Sequence, residues 1–170
     1  MPERVFIGLG GNLGDSPSLL RLAGRQIGAL PQTRCLRGSG FYRSPAWGGI
    51  EQPDYTNAVL EIATGLEPHA LLSGLLAIER ENGRNRQSEL RWGPRALDCD
   101  ILLFGERCLR SADLTIPHPR MAERAFVLVP LSEIAPDLVL PGAGALSSLI
   151  QHLHDTKLVR LEQGFDHVCQ

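Results

Sequence analysis

The sequence predicts an α+β sandwich. Three observations carry that expectation: several apolar runs of strand length, amphipathic stretches of helix length, and hairpin-compatible connections that suit a mixed sandwich better than a doubly wound sheet. At 170 residues the chain is about one domain long, so residues 1–170 are read as a single unit. A fold of that size buries roughly two thirds or more of its unfolded surface. The composition is 43% hydrophobic and 21% charged, with 18 glycines and 12 prolines. That is glycine-rich but short of low complexity, and it excludes disorder, collagen and coiled coil.

Val5 to Gly10 is a short apolar run that reads as a buried strand ending in a glycine turn at Gly11–Asp15. Ser16-Pro17 then starts a helix with proline in its first turn, running to about Leu30. Thr33 to Arg43 reads as a second strand. Ser44 to Asp54 is a long Gly/Pro-rich loop holding Trp47, which looks exposed. Tyr55 to Thr64 alternates as a third strand: Ala58, Leu60 and Ile62 share one face, and Asn57, Val59 and Glu61 the other. Pro68 to Asn82 is the clearest helix, with Leu71, Leu72, Leu75, Leu76 and Ile78 along its apolar side. Gly83 to Pro94 is a polar, arginine-rich loop, and Ala96 to Phe104 a fourth strand. A short fifth strand follows around Cys108. Arg120 to Ile134 mixes helix signals with an internal Pro130, Leu146 to Leu153 is a short helix, and Leu158 to Leu161 a closing strand. Two loops exceed ten residues, which is uncommon in compact domains unless they are functional.

The apolar stretches stop well short of the ~20 residues of a membrane span, and Met1-Pro2-Glu3-Arg4 shows no signal-peptide pattern. A soluble cytoplasmic protein is therefore expected. The net charge of −2 argues against bulk nucleic-acid binding. Lys157, the single lysine, lies in Thr-Lys-Leu, so the Gly-Lys-Ser/Thr triplet of a P-loop is absent. Cys35, Cys99, Cys108 and Cys169 show no C-x-x-C spacing and read as small buried or incidental thiols. The histidines form no H-x-x-x-H pair, and no structural metal is expected. Gly8-Leu9-Gly10 imitates a dinucleotide fingerprint, but Leu13 stands where the third glycine belongs and no acid follows about 20 residues on. A tight strand-to-helix turn with some ligand approach fits better.

The chemistry concentrates at Asp98-Cys99-Asp100. Residues i and i+2 of a strand face the same way with Cα atoms ~6.6 Å apart. Two carboxylates at that separation repel by roughly 2–3 kcal/mol at an effective dielectric of ~20. Magnesium removes the penalty, since it takes one or two carboxylates together with substrate phosphates. Just upstream, Arg80, Arg84, Arg86, Arg91 and Arg95 face only Glu81 and Glu89, and guanidinium groups match phosphate oxygens in bidentate geometry. Cations for phosphates beside anions for Mg²⁺ is the division of labour that phosphoryl transfer demands. Tyr55 and Asn57, on one face of the third strand, pair a stacking surface with a two-sided hydrogen-bonding amide; Phe126 offers a second ring.

At this point the sequence resembles the 6-hydroxymethyl-7,8-dihydropterin pyrophosphokinases. The resemblance rests on Gly8-Leu9-Gly10-Gly11-Asn12-Leu13-Gly14-Asp15, Phe41-Tyr42-Arg43-Ser44-Pro45, Gln52-Pro53-Asp54-Tyr55-Thr56-Asn57-Ala58, Arg91-Trp92-Gly93-Pro94-Arg95-Ala96-Leu97-Asp98-Cys99-Asp100-Ile101 and Ile116-Pro117-His118-Pro119, in that order. It implies a ferredoxin-like α+β core and transfer of the terminal pyrophosphate of ATP to the pterin's hydroxymethyl oxygen, with release of AMP. By position, Asp98 and Asp100 would bind two Mg²⁺ ions, and Arg84 and Arg95 would assist transfer. Glu79, Arg86, Arg91, Trp92, Thr115, His118 and Arg124 would hold ATP. Ser44, Pro45, Trp47, Tyr55, Asn57 and Phe126 would hold the pterin. The loops around residues 11–15, 44–54 and 84–94 would be mobile lids, the partners small molecules only, and the protein a monomer. Gly11 stands where the family usually has Ser and Cys99 where it has an aliphatic residue; Asp113, Pro119 and an extra Leu90 also depart from the pattern. A non-catalytic nucleotide- or nucleic-acid-binding module and a γ-phosphoryl kinase are the competing readings.

Overall fold

The computed structural model describes residues 1–46, 49–85, 93–153, 157–166 and 168–169. The chain runs β1 (Glu3–Gly11), α1 (Ser16–Gly28), β2 (Thr33–Gly38), β3 (Gly40–Ser44), β4 (Tyr55–Thr64), α2 (Pro68–Glu81), β5 (Asp98–Phe104), β6 (Leu109–Arg110), β7 (Thr115–Ile116), α3 (Ala125–Ile134), β8 (Val139–Leu140), β9 (Gly144–Ala145), α4 (Leu146–Gln151) and β10 (Val159–Gly164). One six-stranded sheet is ordered β10-β3-β4-β1-β5, with β2 also paired to β4. The pairs β6–β7 and β8–β9 form two small ribbons. Every strand pair among the described residues is antiparallel. This is the mixed α/β architecture that the sequence predicts.

The two faces of the sheet follow from period-two patterning. Val5, Ile7 and Leu9 of β1 and Ala58, Leu60 and Ile62 of β4 point to one side, where Leu20, Ala23 and Ile27 of α1 and Leu71, Leu75 and Ile78 of α2 cover them. Phe6, Val59, Leu102 and Leu103 point to the other, under Val127, Leu128, Leu131 and Ile134 of α3 and Leu146 of α4. Leu102 and Leu103 share that side because the β1–β5 register shifts between Phe6 and Ile7. Helix α3 covers only part of this second face, and the uncovered part is where the site lies.

Several boundaries differ from the sequence reading. The second strand is two strands, β2 and β3, broken at Ser39, whose hydroxyl accepts a bond from the Val59 N–H. Both halves pair with β4 in succession. The glycine turn starts one residue later than expected: Gly11 is still strand, opposite Thr56. Asp15 then caps α1, its carboxylate accepting from the Ser18 N–H and hydroxyl. The cysteines need a correction as well. Cys35 of β2 and Cys169 are joined as a disulfide across 134 positions of sequence, with Cα atoms 4.9 Å apart, while Cys99 and Cys108 are free. The C-terminal segment is brought there by Phe165, packed edge-on against Phe41 at 4.9 Å. Among the described residues, no helix is long and apolar enough to cross a membrane.

Candidate active site

The register of three strands lays out the site. Gly10 of β1 sits between Asn57 of β4 and Asp98 of β5, and Gly8 sits between Val59 and Asp100. Two glycines on the same side of β1 therefore form a bare floor, with an amide on one side and two carboxylates on the other. Above it lies a cavity of about 360 Å³. Its walls take Ser44, Pro45, Tyr55 and Asn57 from the β3–β4 side, and Arg95, Asp98 and Asp100 from the β5 side. His118, Arg120, Glu123, Arg124, Phe126 and Val127 close it from the segment leading into α3. A larger hollow of about 750 Å³ lies at the far end of α3, around Arg4, Arg37 and Val139, but its acids, Glu106 and Asp137, are not an i, i+2 pair on one strand, so chemistry and not size selects the smaller one.

The electrostatics are unusual on the acid side. Burial, with Asp98 and Glu79 nearby, pushes the Asp100 carboxyl up to about 8. Arg84 is 7% exposed and donates to Asp98 Oδ1 at 2.6 Å and to Glu79 Oε2 at 2.9 Å. Glu79 Oε2 also accepts the Cys99 N–H at 2.8 Å. Glu79 is 1% exposed and lies beneath the acid pair, where it braces both the strand and the arginine. It is not in the cavity wall, and neither is Thr115, the first residue of β7. Arg95 Nη1 lies 3.9 Å from Asp98 Oδ2. The His118 imidazole is held below its ordinary value of 6.5 by burial and by the Arg124 charge. Its Nδ1 accepts the Arg120 N–H at 3.2 Å, which leaves Nε2 to carry the proton of the neutral ring. The Arg124 guanidinium stands 5.5 Å from the centre of the Phe126 ring.

On the opposite wall, Asn57 is buried and its Nδ2 donates to Ser44 Oγ at 3.0 Å. The Tyr55 hydroxyl donates to the Gly93 carbonyl at 2.8 Å, and burial raises the phenol above its usual value. The structure thus brings together Ser44, Pro45, Tyr55, Asn57, Arg95, Asp98, Asp100, His118, Arg124 and Phe126 around one cavity, with Arg84 directly behind Asp98. Trp47, Arg86, Arg91 and Trp92 lie outside the described residues.

Sequence reasoning assigned no role to Asn12, which is 4% exposed. Its Nδ2 donates to Gln52 Oε1 and to the Pro53 carbonyl, each at 2.9 Å, and its Oδ1 accepts the Arg95 N–H at 2.9 Å. One amide ties the loop before β4 to the arginine beside the acid pair. Arg120 and Glu123 also line the cavity without a role assigned from the sequence. The available signal was their place in the stretch between His118 and Phe126.

The family described as 7,8-dihydro-6-hydroxymethylpterin-pyrophosphokinase (HPPK) matches residues 6–136. The 2-amino-4-hydroxy-6-hydroxymethyldihydropteridine pyrophosphokinase of Haemophilus influenzae is 45% identical over 157 residues, covering 92% of this chain and 97% of that one. The enzyme of the same name from Pseudomonas aeruginosa is 45% identical over 150 residues, or 88% and 91% of the two chains. Among solved structures, the Plasmodium falciparum HPPK-DHPS with pteroate overlays with a TM-score of 0.70 at 12% identity. The overlay covers 89% of this chain and 42% of that one, so this chain spans about two fifths of the fusion protein's length. With the family match spanning residues 6–136 and relatives 45% identical over most of both chains, the chain belongs to the 7,8-dihydro-6-hydroxymethylpterin-pyrophosphokinase family.

Proposed function

We propose that the cavity over Gly8 and Gly10 is where this chain performs its family's reaction. That reaction is the transfer of pyrophosphate from ATP to the hydroxymethyl group of 6-hydroxymethyl-7,8-dihydropterin, giving the pterin diphosphate and AMP for folate biosynthesis. The observation that carries the assignment is the cross-strand row Asn57–Gly10–Asp98. An amide that reads a heterocycle's edge and a carboxylate suited to a phosphate-bound cation flank the same bare strand residue.

The donor set fits Mg²⁺. Asp98 and Asp100 face one cavity, and the recessed Asp100 carboxyl, raised to about 8, is a group whose anion calls for a cation. These two residues would hold the metal, two ions by the family's pattern, and bound Mg²⁺ neutralises charge on the phosphate oxygens. Arg95, and Arg84 behind Asp98, place positive charge where the departing AMP gathers negative charge. His118, with its proton on Nε2, donates a neutral hydrogen bond from the α3 side, and Arg124 adds a cation beside it. Asn57 and Ser44 orient the pterin, and the Tyr55 and Phe126 rings, both in the cavity wall, offer its plane stacking surfaces. Orientation of two bound substrates supplies most of the catalysis, because the step needs little covalent help from the protein.

By the family's pattern, Arg86, Arg91, Trp92 and Thr115 would help hold ATP and Trp47 the pterin. The long loops before β4 and β5 act as lids that exclude water. The whole chain is one ferredoxin-like domain, monomeric and cytoplasmic, acting on small molecules alone. Incubation with ATP, Mg²⁺ and the reduced pterin tests the reading: AMP and pterin diphosphate are the expected products. ADP would instead indicate γ-phosphoryl transfer, and absence of turnover a binding module.

A further inference from the structure

We propose that Gly10 is a positioning residue for the pterin: the space left by its missing side chain is what holds the Asn57 amide in its substrate-reading orientation. The proposal rests on the pterin side of the pocket described above. Glycine inside a strand weakens it, through backbone entropy and the loss of a packing side chain, so its presence there calls for a cause. Conformation is not that cause. Gly10 is in regular antiparallel pairing on both sides, and among the described residues the glycines of positive φ are Gly14, Gly49, Gly83, Gly105, Gly142 and Gly144.

Space is the cause. A Cβ on Gly10 would lie 2.6 Å from Asn57 Oδ1, far inside contact distance, while its next neighbours, Asn57 Cγ and the Thr56 carbonyl, are at an unstrained 3.6 Å. The amide therefore leans across the strand into the volume a methyl group would occupy. It is pinned there from the other end, where Nδ2 donates to Ser44 Oγ at 3.0 Å. Asn57 is 7% exposed, so the group has little room to retreat, and turning it away breaks the bond to Ser44. The neighbouring glycines differ in kind. At Gly8 the nearest atom to an added Cβ is a Leu102 methyl at 3.3 Å, and at Gly11 it is the Ala96 backbone carbonyl at 2.2 Å. Packing explains the first and chain approach the second. Leu102 also lines the cavity but offers only methyl groups, so of the three glycines Gly10 alone abuts a hydrogen-bonding side chain of the cavity wall.

A methyl at position 10 thus displaces an amide and leaves the backbone in place. The test is a double-mutant cycle of Gly10→Ala and Asn57→Ala, read by calorimetric titration with the reduced pterin in the presence of a nonhydrolysable ATP analogue and Mg²⁺. Melting temperature and the affinity for the analogue are measured alongside. Gly10→Ala is expected to weaken pterin binding about tenfold, the loss of roughly one good buried hydrogen bond, with analogue affinity held within about twofold. In the Asn57→Ala background the same change has no further effect on pterin affinity, because the group it displaces is gone. If Gly10→Ala alone melts early, the double variant recovers the melting temperature. Unchanged pterin affinity in Gly10→Ala, an equal loss in both backgrounds, or an early melt that the double variant fails to recover overturns the proposal while leaving the pocket intact. If Asn57→Ala itself binds pterin normally, the pocket assignment falls and the role of Gly10 falls with it.

Discussion

Replacing Glu79 with alanine separates two roles for one carboxylate: nucleotide contact, which the family resemblance implies, and internal brace, which its surroundings support. The Glu79 and Arg84 side chains are 2% and 4% exposed, and their ion pair spans 2.9 Å. Removing one partner of a buried pair costs about 3–5 kcal/mol. The cost falls toward the lower end here because Arg84 keeps its 2.6 Å contact with Asp98, while the orphaned Cys99 N–H adds part of a buried hydrogen bond. For a chain of this size each kcal/mol moves the melting temperature by about 2–4 °C, so Glu79→Ala should melt about 6–12 °C early. Glu79→Gln, which keeps an acceptor for the Cys99 N–H, should lose less. Calorimetric melts without nucleotide, paired with titration of a nonhydrolysable ATP analogue, give both readouts. A melting temperature within about 2 °C of the parent together with tenfold weaker nucleotide binding would refute the brace and restore the direct contact.

Asp100→Asn should abolish turnover yet keep or raise the melting temperature, because burial and Asp98 already disfavour the anion it removes. Near-normal kcat in that variant would remove Asp100 from the metal site. His118 makes stability depend on pH. Its folded value lies below 6.5, so the unfolded chain takes up the proton first as pH falls. The stability it contributes is complete above about 6.5 and is lost as pH drops through the folded value. Melts between pH 7.5 and 5.5 should therefore show a steeper decline for the parent than for His118→Gln; parallel declines would contradict this.

Strand β4 was legible because its alternation is simple: Ala58, Leu60 and Ile62 meet α1 and α2, and Asn57 faces the cavity. Helix α2 was legible from its leucines, and the acid pair from its i, i+2 spacing. Features that depend on distant partners were not legible. Gly11 reads as the start of a turn by propensity, and only its pairing with Thr56 of β4 makes it strand. The break at Ser39 depends on a bond to Val59 across the sheet. The charge of Glu79 suggests a helix surface until Arg84 and the Cys99 amide close over it. Cys35 and Cys169 stand too far apart in sequence for any spacing rule, and Asn12 draws its importance from partners 40, 41 and 83 positions away. Local pattern, in short, reports which face a residue takes, while the partners it meets there come from topology.

We propose that Asp98 and Asp100 grip divalent cations against the phosphates of ATP over a glycine floor. A crystal structure with Mg²⁺, a nonhydrolysable ATP analogue and the reduced pterin tests it most directly. The expected result is metal ligated by both carboxylates and by phosphate oxygens, with the pterin at Asn57 and its hydroxymethyl group directed toward the β-phosphorus. Nucleotide bound elsewhere, or a full complex with no cation at either aspartate, would contradict it.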